Sequence, residues 1–200
     1  MASADTRERD ENWIRAFQNG DESVFQKLYL AHLPPLFFFI KRHLYCDDAA
    51  AEDLCQDIMM TVYEKLPGFL FKAKFSTYLY TIALNRMRNV KRKKTAVSLD
   101  EKIPGDSETS FLDGVVEPGT PHQGMFGRQV HELLKRGMET LPEKEREVFA
   151  FKEFDELTFE EISEITGQSL RNIQYLKEKA QKRLKEYFEQ NGISWEEVRA

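Results

Sequence analysis

Residues 158–185 read TFEEISEITGQSLRNIQYLKEKAQKRLK, and their spacing decides the fold of the second half of the chain. Thr158 followed three residues later by Glu161 is a capping box, the sequence mark of a helix start. Ile162 and Ile165 give that helix one apolar face, and Gly167 supplies the left-handed backbone that stops it. Ser169 can cap a second helix, whose apolar positions Leu170, Ile173, Leu176, Ala180 and Leu184 keep helical spacing. Ser163 is small where the two helices must approach closely. The pattern predicts a helix–turn–helix.

The other faces of the second helix carry Arg171, Asn172, Gln174, Tyr175, Lys177, Lys179, Lys182, Arg183 and Lys185. Between Arg171 and Lys185 stand six Lys or Arg and one acid, Glu178. Polar side chains that can meet base edges come first and lysines that can meet phosphates follow, an order that suits the DNA major groove. The competing reading is a plain two-helix corner with a solvated basic face. The lopsided charge favours DNA, because a helix made only for solubility usually mixes its signs.

The 200 residues can form one mid-sized domain or two small ones, and 41% hydrophobic with 32% charged residues describes a globular chain. No run of about eighteen apolar residues exists, so no transmembrane helix or membrane insertion is expected. The opening MASADTRERDEN lacks the apolar stretch of a secretory signal. Cys46 and Cys55 have neither metal nor redox spacing; they read as packing residues in a reduced, cytoplasmic setting. His32, His43, His122 and His131 make no metal pattern, and neither a phosphate loop nor a nucleophile constellation is present. No enzyme, cofactor, metal or small-molecule substrate is therefore expected. The net charge of −5 does not exclude nucleic acid, because the basic residues gather in two blocks, Arg86 to Lys94 and Arg171 to Lys185.

From the N-terminus, Asn12 to Asn19 reads as a short amphipathic helix with Trp13, Ile14 and Phe17. Asp21 can cap a second one, with Val24, Phe25, Leu28 and Tyr29 inward, which Pro34-Pro35 punctuates before a buried run from Leu36 to Leu44. Asp47 or Asp48 starts the next helix, ended by Pro67-Gly68, with Ala51, Leu54, Cys55, Ile58, Val62 and Leu66 as its apolar side. Asp53, Gln56, Asp57, Met60 and Glu64 fall on another face of it. On pattern alone that stripe is a solvated acidic face, although Met60 within it points to docking, since Met suits adaptable contacts.

Phe69 to Lys74 is a loop rich in Phe and Lys. Ser76 is placed to cap a helix with Leu79, Ile82, Ala83, Met87 and Val90 as its core side, and Thr77, Thr81, Asn85, Arg88 and Arg92 along another. Arg86 to Lys94 holds six basic residues and no acid, beside aromatics at Phe71, Phe75, Tyr78 and Tyr80. Rings next to cations are what unpaired bases bind, although at least half of these rings, Phe75 and Tyr78 first, read as core. Beyond them, Gly and Pro recur and apolar periodicity ends, so a flexible acidic linker is expected over 95–125. The fold class is all-α: a helical domain over 1–94, the linker, and a helical domain over 126–200 containing the helix–turn–helix.

The order of these parts resembles the bacterial RNA polymerase sigma factors of the extracytoplasmic-function (ECF) group. The resemblance rests on Ala51-Glu52-Asp53-Leu54-Cys55-Gln56-Asp57, on the run from Phe75 to Asn85, and on Leu141-Pro142, Arg146-Glu147-Val148 and Glu160-Glu161-Ile162. It implies a non-catalytic subunit that binds core RNA polymerase and directs initiation at promoter DNA. Asp53, Gln56 and Asp57, with Met60 beside them, would dock on the polymerase's largest subunit. The loop with Lys72 and Lys74, and then Asn85, Arg88, Lys91 and Arg92, would recognise and open the minus-10 element. Arg171, Asn172, Gln174 and Tyr175, backed by Lys179 and Lys182, would read the minus-35 element. An anti-sigma partner is a further implication. The chain departs from the family pattern at Tyr78 (usually Trp), at Ala73 (usually Gly) and at Thr166 and Gln168 around the turn (usually aliphatic). The alternative is a stand-alone helix–turn–helix regulator with an N-terminal sensing domain, which would need neither the basic helix at 86–94 nor the acidic stripe at 53–64.

Overall fold

The computed structural model describes residues 2–44, 46–100 and 125–195. Its contacts divide the chain into two compact units, residues 1–107 and 108–200. Among the described residues every regular element is helical. The all-α reading holds.

The first unit contains α1 (Ala2–Gln18), α2 (Phe25–Leu44), α3 (Asp48–Lys65) and α4 (Phe75–Asp100). α1 begins well before the expected Asn12 and ends at Asn19-Gly20, with Gly20 at φ 100°. The Asp21 carboxylate accepts from the Ser23 N–H and caps a single 3-10 turn, Glu22–Val24, which runs straight into α2. Pro34 and Pro35 do not punctuate: they lie inside α2, which continues to Leu44. Each proline removes one helix hydrogen bond, a cost of about 3 kcal/mol in an ordinary interior. Both rings stand on the exposed side, where water can serve the freed carbonyls, and Leu28, Leu36, Phe39 and Ile40 anchor the opposite side in the core. Burying four such side chains is worth about 1.5–3 kcal/mol each, enough to carry the helix through.

Asp47 caps α3 by accepting from the Ala50 N–H. All six residues of its expected apolar side are buried, together with Met59. A 3-10 turn, Leu66–Gly68, closes α3 at the expected Pro-Gly. α4 starts at Phe75, so Ser76 stands inside its first turn and does not cap it. Leu79, Ala83 and Met87 are buried as expected, and Leu84 joins them. Thr77, expected on the polar side, is buried as well, because the helix start turns that face inward next to Phe75. The helix runs on to Asp100, past the point where apolar periodicity fades. The rest of the acidic segment, 101–124, lies outside the described residues.

The second unit contains α5 (Met125–Thr140), α6 (Glu143–Glu153), α7 (Phe159–Thr166) and α8 (Leu170–Gln190). α8 is the spine on which α5, α6 and α7 pack. Ile173, Ala180, Leu184 and Phe188 form its buried face, against Met138, Val148, Phe149, Phe151, Ile162 and Ile165. Gly137 is the point of closest approach on α5: a Cβ there would meet Tyr187 Cδ1 at 3.0 Å and Leu184 Cδ2 at 3.1 Å. Leu170, read as an apolar core position, is 41% exposed, since it opens α8 before the helix reaches the packed interior.

Candidate functional site

The helix–turn–helix forms as its caps predict. Thr158 Oγ1 accepts from the Glu161 N–H and Glu161 returns the bond to the Thr158 N–H, a complete capping box. Gly167 takes the left-handed conformation at φ 72°. The Ser169 side chain accepts from the Asn172 N–H. Ser163 does more than make room: its hydroxyl donates to the Gln168 carbonyl at 2.6 Å. Thr166 and Gln168 bind the turn with polar contacts where the family has aliphatic packing. The Thr166 hydroxyl donates to the Ile162 carbonyl at 2.7 Å and accepts from the Gln168 N–H at 3.3 Å. The Asn172 amide then donates to the Gln168 side-chain oxygen at 2.6 Å, which fixes its orientation at the start of α8.

Arg171, Asn172, Gln174 and Tyr175 are all exposed on the first turns of α8. The basic residues beyond them divide into two sets. Lys177 is only 19% exposed and pairs with Glu153 of α6 at 3.2 Å. Arg183 Nε lies 3.1 Å from the buried carboxylate of Glu145, an ion pair without hydrogen-bond alignment, and Lys179 Nζ stands 3.9 Å from the same group. Lys179 also lies over the Tyr175 ring, 5.2 Å from its centroid. Lys182 is 78% exposed, and Lys185 is exposed too; each meets only a glutamate one turn along its own helix. Not every cation of α8 is given to one role: Lys177 and Arg183 tie α8 to α6, because acids of α6 distant in sequence stand opposite them, whereas Lys179, 44% exposed and at the limit of its pair with Glu145, keeps an open side. Lys182 and Lys185 remain turned to solvent.

In the first unit the acidic stripe emerges intact. Asp53, Gln56, Asp57, Met60 and Glu64 are all exposed on α3, Met60 at 65%. Beside the stripe lies a groove of about 300 Å³ lined by Phe25, Tyr29, Gln56, Met59, Met60, Tyr63 and Glu64. Tyr63 was not singled out in the sequence. Its ring stands edge-on to Phe17 and Phe25 at 5.3 and 5.0 Å, and its hydroxyl donates to Glu22 at 2.9 Å. That hydrogen bond, chiefly, holds the Tyr63 phenol above its ordinary pKa.

The basic side of the unit is carried by the loop and α4. Asn85, Arg88 and Arg92 are exposed along α4, Lys91 is half-buried beside them, and the Arg86 guanidinium donates to Thr61 of α3 at 3.1 Å. In the loop, Lys72 is exposed and Lys74 half-buried. Phe75 is buried, Tyr78 half-buried, and burial raises the Tyr78 phenol pKa. Phe69 is the hub, with Phe71, Tyr78 and Phe75 at 5.1, 5.1 and 6.2 Å. Phe71 adopts φ 57°, a left-handed conformation that costs a bulky L-residue about 1–2 kcal/mol. The loop thus bends at Phe71, two residues before the position where the family usually has Gly. Leu70, at the apex, is 70% exposed.

Contacts to this loop from α1 carry no local sequence signal. The Gln18 side-chain N–H₂ lies 3.2, 3.3 and 3.0 Å from the carbonyls of Leu66, Pro67 and Phe69, and the Arg15 guanidinium lies over the Phe71 ring, 4.3 Å from its centroid. α1 is itself pinned by a buried pair, His32 Nε2 to Asp10 Oδ2 at 2.9 Å, with Arg9 2.9 Å from the other carboxylate oxygen. Burial opposes the charged Asp10 carboxyl, but His32 and Arg9 together outweigh it and hold its pKa below the ordinary value.

An exposed polar second helix of a helix–turn–helix in one unit, with an acidic face and a basic face on separate helices of the other, is the layout of a helical DNA-binding protein. Residues 28–97 match the family model of sigma-70 region 2, and residues 131–184 match that of sigma-70, region 4. Together these cover more than half of the chain, which belongs to the sigma factors of bacterial RNA polymerase, in the ECF group. It is a promoter-recognition subunit. Curated relatives include the RNA polymerase sigma-H factor of Pseudomonas aeruginosa, 24% identical over 144 residues (70% of this chain, 74% of that one). The ECF sigma factor SigW of Bacillus subtilis is 26% identical over 137 residues (68% and 73%). Among solved structures, the sigma factor RpoE bound to the anti-sigma factor NepR from Bartonella quintana shares the fold. Its TM-score is 0.64 at 22% identity, over 82% of this chain and 96% of that one. CnrH in complex with the cytosolic domain of CnrY follows at a TM-score of 0.59 and 16% identity, over 88% and 94%. The sensing-domain alternative is not favoured, because the N-terminal half matches sigma-70 region 2.

Proposed function

We propose that the two units divide promoter recognition between them, as a subunit without catalytic activity of its own. Arg171, Asn172, Gln174 and Tyr175 read the minus-35 duplex, with Lys182 and Lys179 on its phosphates. The loop with Lys72 and Lys74 and the α4 face with Asn85, Arg88, Lys91 and Arg92 take the minus-10 element as it opens. Asp53, Gln56, Asp57 and Met60 dock on core polymerase. The observation that carries the first unit's share is segregation by sign: the exposed stripe on α3 holds Asp53, Asp57 and Glu64, and α4 exposes Arg88 and Arg92. A polymerase surface and a polyanion can then be engaged at once.

Residues 95–125 serve as the connection between a domain over 1–94 and one over 126–200. Such a tether raises the effective concentration of the second module once the first is bound, so each can be weak alone. The reading places the chain in the cytoplasm, where promoter DNA is; among the described residues no helix is long and apolar enough to cross a membrane. By analogy with the two solved relatives held by partner proteins, an anti-sigma factor is the expected regulator. Transcription with core polymerase on promoters altered one position at a time tests the division. Arg171→Ala is expected to relax one minus-35 position by about 1–3 kcal/mol and leave minus-10 preference intact. Unaltered minus-35 preference would show that the recognition register is wrong.

A further inference from the structure

We propose that α1 is a strap for the minus-10 loop, and that Gln18 and Arg15 are positioning residues for base selection without touching DNA. The inference rests on the reading of residues 69–74 as the minus-10 loop. α1 lies before the segment that matches sigma-70 region 2, which begins at residue 28.

The loop cannot hold its own shape by backbone bonds. Phe69 N–H donates to the Leu66 carbonyl at the entry and Tyr78 N–H to the Lys74 carbonyl at the exit, and no backbone bond between loop residues bridges the apex among those described. Its bend falls on Phe71 at φ 57°, where an L-residue does not rest unaided. Two side chains of α1 supply what is missing. Gln18 directs two amide protons at the three carbonyls of Leu66, Pro67 and Phe69, which fixes the base of the loop. Arg15, steadied by Glu11 at 3.9 Å, covers the Phe71 ring and holds the bend closed. With Phe69 buried and Phe71 covered, Leu70 and Lys72 are the side chains left facing outward. An apolar tip beside a cation suits an unstacked base with its phosphate. A loop whose tip shifts by an ångström would still carry these groups but would discriminate bases poorly.

The test uses the chain assembled with core polymerase. Initiation is compared on a promoter and on single-base minus-10 and minus-35 variants, alongside core-polymerase affinity and melting temperature. Gln18→Glu replaces the donor with an isosteric acceptor facing three carbonyls. It is expected to lower minus-10 discrimination roughly tenfold, the worth of one or two net hydrogen bonds. Arg15→Ala should act in the same direction, Arg15→Lys should recover part of the loss, and minus-35 discrimination and core affinity should not move. Where Gln18→Glu fails to fold, Arg15→Ala decides, because Arg15 is exposed. Leu70→Ala and Lys72→Ala separate the two layers of the reading. If they change minus-10 discrimination while Gln18→Glu and Arg15→Ala leave it intact, the strap is wrong. If Leu70→Ala and Lys72→Ala leave it intact, the loop assignment is wrong and the strap falls with it.

Discussion

Lys182→Ala and Lys177→Ala remove the same charge from the same helix and should have opposite consequences. Lys182 is 78% exposed, and its one partner, Glu186 at 3.9 Å, is a surface pair of little energetic weight. Lys177 is 19% exposed and committed to Glu153 at 3.2 Å. Each phosphate neutralised by a lysine adds about 0.9 to the slope of log affinity against log salt. Losing the Lys182 contact should lower that slope by about 0.9, so that raising salt from about 50 to about 200 mM weakens the variant roughly 3.5-fold less than the parent. Lys177→Ala should leave the slope unchanged and lower stability by about 0.5–1 kcal/mol, because Glu153 loses its partner. The assay is fluorescence anisotropy of a labelled minus-35 duplex with polymerase carrying each variant, repeated across a salt series, with melting curves of the free chains. A slope lowered equally by both variants would refute the division of the basic face.

Three further outcomes follow from single sites. Gly167→Ala meets nothing within 4 Å, so its cost is backbone strain alone, about 1–2 kcal/mol from the second unit, read as a lower melting temperature and weaker minus-35 binding. Asp10 has a lowered carboxyl pKa in the fold, so its contribution is complete above the unfolded value and is lost as pH falls through the folded one. Acid titration of stability should show that loss below about pH 4 in the parent and a flatter profile in Asp10→Asn, which starts from a lower stability at neutral pH. Cys55 is buried with its thiol pushed up to about 12, first by burial and then by Cys46 and Glu52, so iodoacetamide at pH 8 should label it only after unfolding, as mass spectrometry can follow.

What could be read from sequence was what local rules determine. The caps at Asp47, Thr158 and Ser169, the stop at Gly167, and the buried and exposed stripes of α3 depend on residues a few positions apart, and each forms as spaced. At several places where the reading failed, a distant partner had decided the outcome. Pro34 and Pro35 break helices by local rule, yet the core under Leu36, Phe39 and Ile40 carries α2 through them. Lys177 and Arg183 look like DNA-facing cations until Glu153 and Glu145 are found opposite. Gln18 gave no signal at all, because its acceptors lie some fifty residues downstream. For the site, residue types were legible and their partners were not: the exposed Arg171, Asn172, Asp53, Asp57 and Arg88 could be named, whereas the strap and the groove beside Tyr63 could not.

The most direct test is run-off transcription by core polymerase with this chain over a promoter library randomised in both upstream and downstream elements. The selected promoters should share two separated motifs, with Arg171→Ala relaxing only the upstream one and Lys72→Ala only the downstream one. Absence of promoter-directed initiation by the folded chain, or relaxation of the same motif by both variants, would contradict a division of recognition between the two units.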